Sequence, residues 1–470
     1  MRQNIIMDKT DKVLKDVLKK ITPTGKEREE TDSIKKKIVG ATQEAIRPHG
    51  LDMTLAGSYI RDTWMRHKKE FDVFIVFPED YGREKLEKLG LEIGKSIARK
   101  LRGSFRIAYA EHPYVRARIE GYDVDIVPCY RIEHGSRIKS AVDRTPLHNQ
   151  FLLQHLKPGM SPHVRLLKQF TTALGVYGSD AKTLGFSGYL CELLIINYGS
   201  FRRLAEEASK WEPGQLIDVW GRHKQPISTE KFRAHPLMVI DPVDPGRNVA
   251  AILSAENFAA FVNSCRKFSS RPSASFFFRP QPKISLKRLE KKIRSRGTNM
   301  VAFVLQSPDT LPDVLYPQLR KASGRISRLL DENGFWVIGS GVWDSGEKCV
   351  MLFEMNAHTL PSIRKITGPE IFSKKGSRQF IEKYKKERVW VECGRWAAEV
   401  KRNHTTPRPL IAEFMKGSAK KLQEKGIPSY VAMQASKKFS VMGIKEILAM
   451  SKSMKFAEFL AGYLERDHTK

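Results

Sequence analysis

Residues 57–77 have the sequence GSYIRDTWMRHKKEFDVFIVF, and this stretch decides the fold. A Gly57-Ser58 turn comes first, and the apolar run at residues 71–77 predicts a buried strand. Glu70 and Asp72 lie two residues apart at the start of that strand, so they share one of its faces. Neighbouring carboxylates repel each other, and a divalent cation relieves that repulsion. Because Mg²⁺ prefers oxygen ligands, we expect a magnesium site here.

A second acidic pair lies in YDVDIVPCY, residues 122–130. The alternating pattern predicts a strand of a hairpin that turns near Gly121. Asp123 and Asp125 share a face of this strand, so spacing alone does not choose between them. Either one supplies a third carboxylate. Three carboxylates around two metal ions, beside a Gly-Ser turn whose amides can hold phosphate oxygens, predict nucleotidyl transfer.

The rest of the chain predicts a multidomain α+β protein. Two amphipathic helices precede the first strand, and a mixed sheet occupies the first 150 residues. The middle of the chain is helical, with one short strand before the Pro- and Asp-rich turn at residues 241–245. The last third predicts a ferredoxin-like α+β body, a strand at 389–400 and Lys-rich terminal helices. We expect domains at residues 1–154, 155–272 and 273–470.

The composition indicates an acidic partner. Lys and Arg number 82 against 52 Asp and Glu among 470 residues, which gives a net charge of +30. Such a charge attracts nucleic acid, because contacts to phosphates release counterions, although a solvated basic surface has the same composition. The five cysteines are widely spaced, which predicts reduced, buried thiols rather than zinc ligands. No run of about 20 apolar residues predicts a membrane span, so we expect a cytoplasmic protein.

Eight blocks of sequence follow one another along the first 251 residues. They are GSYIRDTW (57–64), EFDVFIVFPED (70–80), YAEHPYVRARI (109–119), VDIVPCY (124–130), SAVDRTPLH (140–148), VRLLKQF (164–170), GFSGYLCELLI (185–195) and DPVDPGRNVAA (241–251). In this order they resemble the archaeal, class I, CCA-adding tRNA nucleotidyltransferases. That family belongs to the DNA polymerase β-like nucleotidyltransferase superfamily, and the resemblance implies a catalytic head, a helical neck, and an α+β body with an inserted helical tail.

The resemblance implies a role for particular residues. It makes Glu70, Asp72 and Asp125 the catalytic metal ligands of a two-metal Mg²⁺ site and leaves Asp123 as an accessory or bystander. Arg247 would recognise the incoming base. The positions implied in nucleotide binding are Gly57, Ser58, Arg61, His148, Lys168 and Tyr177. A helical Lys is otherwise a solvated residue, and Arg247 could instead cap its loop through Asp241 or Asp244.

The implied reaction adds CMP, CMP and AMP to the 3′ end of tRNA from CTP and ATP, in tRNA maturation and repair. The acceptor and T arms would be bound through helical shape and backbone. Two basic segments, 287–296 and 416–425, are candidate RNA surfaces or ordinary polar helix faces, and the aromatic run at 276–278 favours packing. The oligomeric state stays open, a homodimer included. The alternatives are a polymerase of poly(A) or 2′-5′ oligoadenylate, and a catalytically inactive RNA-binding module.

Overall fold

The computed structural model describes residues 2–109, 111–131, 142–221, 235–278 and 284–465. The chain divides into two compact units, Met1–Pro280 with His468–Lys470, and Gln281–Asp467. Residues 279–283 of the expected boundary segment lie outside the described residues, as do Ala110, Ser140 and Ala141 of the sequence blocks.

The first unit begins with two helices, as predicted, and continues with a sheet and a helical region. Its first half contains α1 (Arg2–Ile21), α2 (Gly25–Ile46), β1 (Asp52–Ala56), β2 (Glu70–Phe77), α3 (Arg83–Lys100), β3 (Ser104–Tyr109), β4 (Pro113–Ile119) and β5 (Tyr122–Tyr130). Its second half contains α4 (Arg144–His155), α5 (Met160–Leu174), α6 (Gly188–Tyr198), α7 (Phe201–Ala208), β6 (Gln215–Asp218), β7 (Leu237–Ile240) and α8 (Ala255–Ser270).

A mixed five-stranded sheet organises the first half of this unit, as predicted. Its strand order is β1-β2-β5-β4-β3, with β2 and β5 parallel and the other neighbours antiparallel. The hairpin of β4 and β5 turns at Gly121, where φ is +83° and a glycine is favoured. The apolar faces of β2 and β5 are fully buried at Val73, Ile75 and Ile126. This core fixes the register of the two strands that carry the predicted carboxylates.

The helical region has an aromatic core. Phe170 of α5 contacts Phe201, Phe261 and Phe277 with ring centroids 5.4 to 6.0 Å apart. Phe277 is fully buried, and its neighbours at 276 and 278 pack against the same cluster. The prediction that residues 276–278 serve packing is therefore confirmed.

The second unit contains the predicted ferredoxin-like arrangement. Its four-stranded sheet has the order β14-β8-β10-β9, all antiparallel, which places the fourth, first, third and second strands of the β-α-β-β-α-β motif side by side. The elements of the unit are α9 (Leu286–Arg296), β8 (Asn299–Gln306), α10 (Pro312–Glu332), β9 (Val337–Asp344), β10 (Lys348–Met355), β11 (Ile363–Glu370), α11 (Lys374–Lys383), β12 (Arg388–Glu392), β13 (Arg395–Lys401), α12 (Pro407–Phe414), α13 (Ala419–Glu424), α14 (Ser429–Lys437), β14 (Phe439–Met442), α15 (Ile444–Met450) and α16 (Met454–Leu464).

A separate three-stranded sheet, in the order β11-β13-β12, lies in the sequence between β10 and β14. The single strand predicted at 389–400 is wrong, because this segment folds as the hairpin of β12 and β13. Cys393 and Gly394 form its turn with φ values of +47° and +74°. The prediction of buried thiols holds for Cys129, Cys191, Cys265 and Cys349, but Cys393 is exposed at that turn. Among the described residues, none of the helices has the length and apolar character of a membrane span.

Candidate active site

Asp72 and Asp125 lie side by side near the N-terminal ends of the neighbouring strands β2 and β5. They are partners in the register of parallel β2 and β5, and Glu70 is the partner of Asp123. Asp72 and Asp125 are half-buried, whereas Glu70 and Asp123 are exposed. Lys68 donates to Glu70 Oε1 at 2.8 Å. The structure therefore brings the three predicted ligands to the ends of two neighbouring strands.

The electrostatics of Asp72 fit a cation. Burial and the negative charges of Asp125 and Glu70 raise the pKa of Asp72 to about 6, and the nearby cations Arg61 and Arg116 only partly offset them. A divalent ion would relieve this repulsion, and the donors are oxygens of the kind that Mg²⁺ prefers. Across the described ranges, no three His, Cys, Asp or Glu side chains already converge as a metal cluster. The residues fit the ion in the chemistry of their donors.

Arginines distinguish Asp125 from Asp123. Arg116 of β4 donates to Asp125 through two bonds of 2.6 Å, from Nε to Oδ1 and from Nη2 to Oδ2. Arg118 pairs with Asp123 at 2.6 Å, but both of those side chains are more than half exposed. These hydrogen bonds raise the pKa of Arg116 and orient the Asp125 carboxylate. Sequence reasoning missed Arg116, although alternation on β4 places it opposite Asp125.

Gly57 packs directly against Asp72 at the start of the β1–β2 loop, residues 57–69. Its φ is +86°, and a β-carbon there would lie 2.2 Å from Asp72 Oδ2. Only a glycine fits this position. Within the loop, the Ser58 carbonyl accepts from the Thr63 amide at 2.8 Å, so residues 58–63 form a closed turn that begins next to Gly57.

The guanidinium of Arg61 is anchored in the helical region. It donates from Nε and Nη2 to the two oxygens of Glu192 at 3.2 and 2.9 Å, and from Nη1 to Asn149 Oδ1 at 2.6 Å. Glu192 is fully buried in α6, and the hydroxyl of Thr63 donates to the same carboxylate. Burial would raise the pKa of Glu192, but Lys168 and Arg61 outweigh it and lower this pKa.

Lys168 is buried rather than solvated. Its side chain is 3% exposed, and Nζ donates to the carbonyl and hydroxyl oxygens of Thr63 at 3.1 and 3.2 Å, with Glu192 Oε1 at 3.5 Å. Burial lowers the pKa of Lys168, against the opposing charge of Glu192. The alternative of a surface lysine is therefore wrong. Arg165, one turn earlier on α5, donates to the Trp64 carbonyl at 2.9 Å and to Asp62 Oδ1 at 2.6 Å.

Tyr177 lies next to Lys168 at the start of α6. A β-carbon on Gly188 would lie 3.2 Å from the Tyr177 hydroxyl and 3.8 Å from Lys168 Cε. Burial raises the pKa of Tyr177, so its hydroxyl stays protonated and able to donate.

A second buried carboxylate, Asp241, joins His148 and Arg247. His148 Nε2 lies 2.9 Å from Asp241 Oδ2, and Arg247 Nη1 donates to the same oxygen at 2.7 Å. Tyr189 stacks on His148 with ring centroids 4.0 Å apart and donates to Asp241 Oδ1 at 3.1 Å. The Arg247 side chain is nevertheless 38% exposed. The pairing expected of a loop cap is therefore present, and it orients a guanidinium that reaches the surface.

Beyond the strand carboxylates and Gly57, the predicted residues form two further groups. Arg61 and Lys168 surround Glu192, and His148 and Arg247 surround Asp241. Helices α4 and α6 connect the two groups. His148 and Asn149 are adjacent on α4, while Tyr189 and Glu192 lie one turn apart on α6. The sequence analysis did not identify Glu192 as a functional residue. A glutamate inside the apolar run LCELLIINY was the signal, because a buried charge requires partners.

Three family matches cover most of the chain. Residues 35–148 match the nucleotidyltransferase domain, residues 162–278 match the second domain of tRNA nucleotidyltransferases, and residues 296–442 match the C-terminal domain of CCA-adding enzymes. A more distant likeness is that to a solved structure of the Cid1 poly(U) polymerase, with 13% identity, a TM-score of 0.46, and coverage of 57% of this chain and 98% of that chain.

Curated relatives match over nearly their whole length. The CCA-adding enzyme of Methanosarcina acetivorans is 41% identical over 404 residues, which cover 84% of this chain and 87% of the relative. That of Methanocaldococcus jannaschii is 37% identical over 430 residues, covering 90% and 93%. This chain therefore belongs to the family of archaeal CCA-adding enzymes, within the nucleotidyltransferase superfamily.

Proposed function

We propose that this chain adds CMP, CMP and AMP in that order to the 3′ end of tRNA, from CTP and ATP, during tRNA maturation and repair. Its similarity to CCA-adding enzymes over most of its length supports the reaction. The observation that carries the proposal is the pairing in register of Asp72 with Asp125, with Glu70 on the same strand and Arg61 close by. At each step the tRNA 3′-oxygen bonds to the α-phosphorus, and pyrophosphate leaves.

Glu70, Asp72 and Asp125 are the residues that would hold Mg²⁺. Bound as a pair, these ions would activate the 3′-hydroxyl and stabilise the charge on the triphosphate. The carboxylates themselves orient the site, because their strands are fixed by a buried core and their separation is set by the parallel register. No covalent nucleophile is needed, so positioning and electrostatics carry the reaction.

The β1–β2 loop would bind the triphosphate. Gly57 allows close approach to Asp72, and Ser58 offers a hydroxyl and an amide at the turn. Arg61 contributes positive charge beside the carboxylates, and Glu192 fixes its orientation. Lys168 is buried and donates to the Thr63 carbonyl, so it holds the β1–β2 loop in place. Its positive charge would stabilise the triphosphate from the protein interior.

The Asp241 group would read the nucleotide. His148, and Tyr177 beside Lys168, would donate to ribose or phosphate oxygens. Arg247 is held by Asp241 through Nη1 and is partly exposed, so its guanidinium can face the acceptors on cytosine and adenine edges. The growing RNA end would complete this pocket and switch the selection from CTP to ATP.

The chain would have three domains, a catalytic head at residues 1–154, a neck at 155–272, and a body with its tail at 273–470. The neck, body and tail would hold the acceptor and T arms of the tRNA. The net charge of +30 supports binding of a polyanion. We place the enzyme in the cytoplasm, where tRNA is processed and buried thiols stay reduced.

The test is incorporation of labelled CTP and ATP, separately and together, into tRNA that lacks its CCA end, with Mg²⁺ and with a chelator. We expect two CMP additions followed by a single AMP, all abolished by the chelator. Adenylation that needs no CTP and continues without a stop would establish the poly(A) alternative. Binding of tRNA with no incorporation would establish an inactive RNA-binding module.

A further inference from the structure

A basic cleft of about 530 Å³ lies within the second unit, between the three-stranded sheet and helices α10, α11 and α12. Tyr384 and Phe414 contribute aromatic walls. The basic residues at its lining are Arg364, Lys383, Lys401, Arg402, His404 and Lys425. Of the described residues at this cleft, Glu413 is the one carboxylate, and His404 already pairs with it.

The sheet directs two arginines into the cleft. Arg364 on β11 lies opposite Val400 on β13. The Arg402 amide donates to the Ser362 carbonyl at 2.7 Å, which extends the pairing by one residue beyond the strand. Arg402 is therefore the diagonal neighbour of Arg364 on the same face of the sheet. The two guanidinium groups share this face because of the register, without a carboxylate between them.

Both guanidinium groups lack a complete set of acceptors. In the part of the chain that the structure describes, the Nε atoms of Arg364 and Arg402 are buried and have no hydrogen-bond partner. Arg402 Nη1 donates to the Asn333 carbonyl at 2.6 Å, which anchors that side chain. Burial and the charge of Arg364 lower the pKa of Arg402. Two like charges with unpaired donors are unfavourable unless an anion accepts from both.

The first basic segment singled out in the sequence differs from this cleft. In residues 287–296, Arg294 pairs with Glu290 at 2.6 Å and Arg296 pairs with Glu354 at 2.6 Å. Those arginines have carboxylate partners within the protein and behave as a polar helix face. The second segment, 416–425, contributes Lys425 to the edge of the cleft.

We propose that Arg364 and Arg402 bind one backbone phosphate of the tRNA in this cleft. A phosphodiester supplies acceptor oxygens that match the fork geometry of a guanidinium, and one such group can accept from both arginines. The cleft is larger than a phosphate and is open, which suits a group carried on a chain. The inference rests on the proposed function, because tRNA is the polyanion that a CCA-adding enzyme must hold. A free phosphate has the same chemistry and is the other source to test.

The experiment measures binding of tRNA lacking CCA to the full chain, by filter binding at several KCl concentrations. The variants are R364Q, R364Q/R402Q and the control R388Q, which removes an exposed arginine of the same sheet whose partner is Glu399. We expect the double variant to bind tRNA about tenfold more weakly, with R364Q intermediate and R388Q unchanged. The steepness of the fall of log K with log[KCl] should decrease by about one in the double variant, because one phosphate contact is lost. Thermal unfolding measurements check that each variant is folded. Because Arg402 also holds Asn333, R364Q decides the outcome if the double variant is unstable.

Unchanged affinity and salt slope in R364Q and the double variant would overturn the proposal. A second arm measures stabilisation of the wild type and variants by inorganic phosphate at constant ionic strength. Phosphate stabilisation that is lost in R364Q/R402Q while tRNA binding is retained would identify a free anion as the ligand and reject the RNA contact. Labelled-nucleotide addition by the wild type is scored separately, so a failure of this cleft leaves the proposed function standing, and the reverse is equally visible.

Discussion

Arg116 contacts both carboxylate oxygens of Asp125 at 2.6 Å, so the third proposed metal ligand is shared with an arginine. A cation at Asp125 must compete with this guanidinium. The variant R116Q should bind Mn²⁺ about three- to tenfold more tightly, because removal of one positive charge at this distance strengthens the attraction of a divalent ion. Electron paramagnetic resonance of free Mn²⁺ during titration measures this. R118Q, which removes the neighbouring pair with Asp123, is the control and should change little. Weaker binding in R116Q would mean that Arg116 preorganises Asp125 for the metal.

Substitution of Asp72 or Asp125, two of the proposed metal ligands, should reduce activity far more than substitution of Asp123. Asp72→Ala and Asp125→Ala should each lower kcat for CMP addition at least about a hundredfold, because they remove charge stabilisation at the transition state. Asp123→Ala should stay within about twofold, since Asp123 is exposed and its partner Arg118 is a surface residue. Steady-state CMP incorporation measures this, with tRNA binding as the check that substrate is still held. Equal losses for Asp123 and Asp125 would refute the assignment of ligands.

Gly57→Ala tests the contact between the loop and Asp72. The new β-carbon would lie 2.2 Å from Asp72 Oδ2, so the carboxylate must move. Gly121→Ala is a matched control, because Gly121 has a similar φ of +83° and no atom within 4 Å of the added carbon. Both variants should lose about 1–2 kcal/mol of stability from the positive φ. Only Gly57→Ala should also lose kcat, at least about tenfold in a CMP-incorporation assay.

Glu192→Gln should destabilise the first unit. It leaves the buried cations Lys168 and Arg61 without their countercharge, which typically costs about 3–5 kcal/mol. Urea unfolding measures the loss. In the double variant Glu192→Gln with Lys168→Met, removal of one unpaired cation should recover part of that stability. Strictly additive effects of the two substitutions would show that the Lys168 and Glu192 charges do not interact.

Acid should destabilise the chain through Asp241. Burial would raise the pKa of Asp241, but hydrogen bonds from His148 and Arg247 outweigh it and lower this pKa to about 2. The unfolded carboxyl has a pKa near 3.9, so below that pH the unfolded chain takes up the proton first. Its contribution of about 2–3 kcal/mol is therefore complete above pH 5 and declines as the pH falls towards 2. Urea unfolding at pH 5 and pH 3 should show a steeper fall in the wild type than in Asp241→Asn. Parallel falls would place the acid sensitivity elsewhere.

The strand alternation in the sequence predicted the position of the candidate carboxylates, because a period of two shows which of them share a face of their strand. It did not separate Asp123 from Asp125, since that choice depends on whether the partner arginine is exposed, as Arg118 is, or half-buried, as Arg116 is. The sequence also could not predict that Lys168 is buried. It follows from Glu192 and Thr63, which lie far apart in the sequence and meet only through packing. The hairpin at Cys393-Gly394 was missed because Cys-Gly is a weak turn signal.

The parallel pairing of β2 and β5 also has a consequence for biosynthesis. Asp72 and Asp125 are neighbours in space, but α3, β3 and β4 separate them along the chain. A ribosome must therefore release β5 before the two carboxylates can meet, and such non-local strand pairing forms slowly. A nascent chain that has exposed Glu70 and Asp72 still lacks the strand that carries Asp125. The pairing of Asp72 with Asp125 can therefore form only after β5 has left the ribosome.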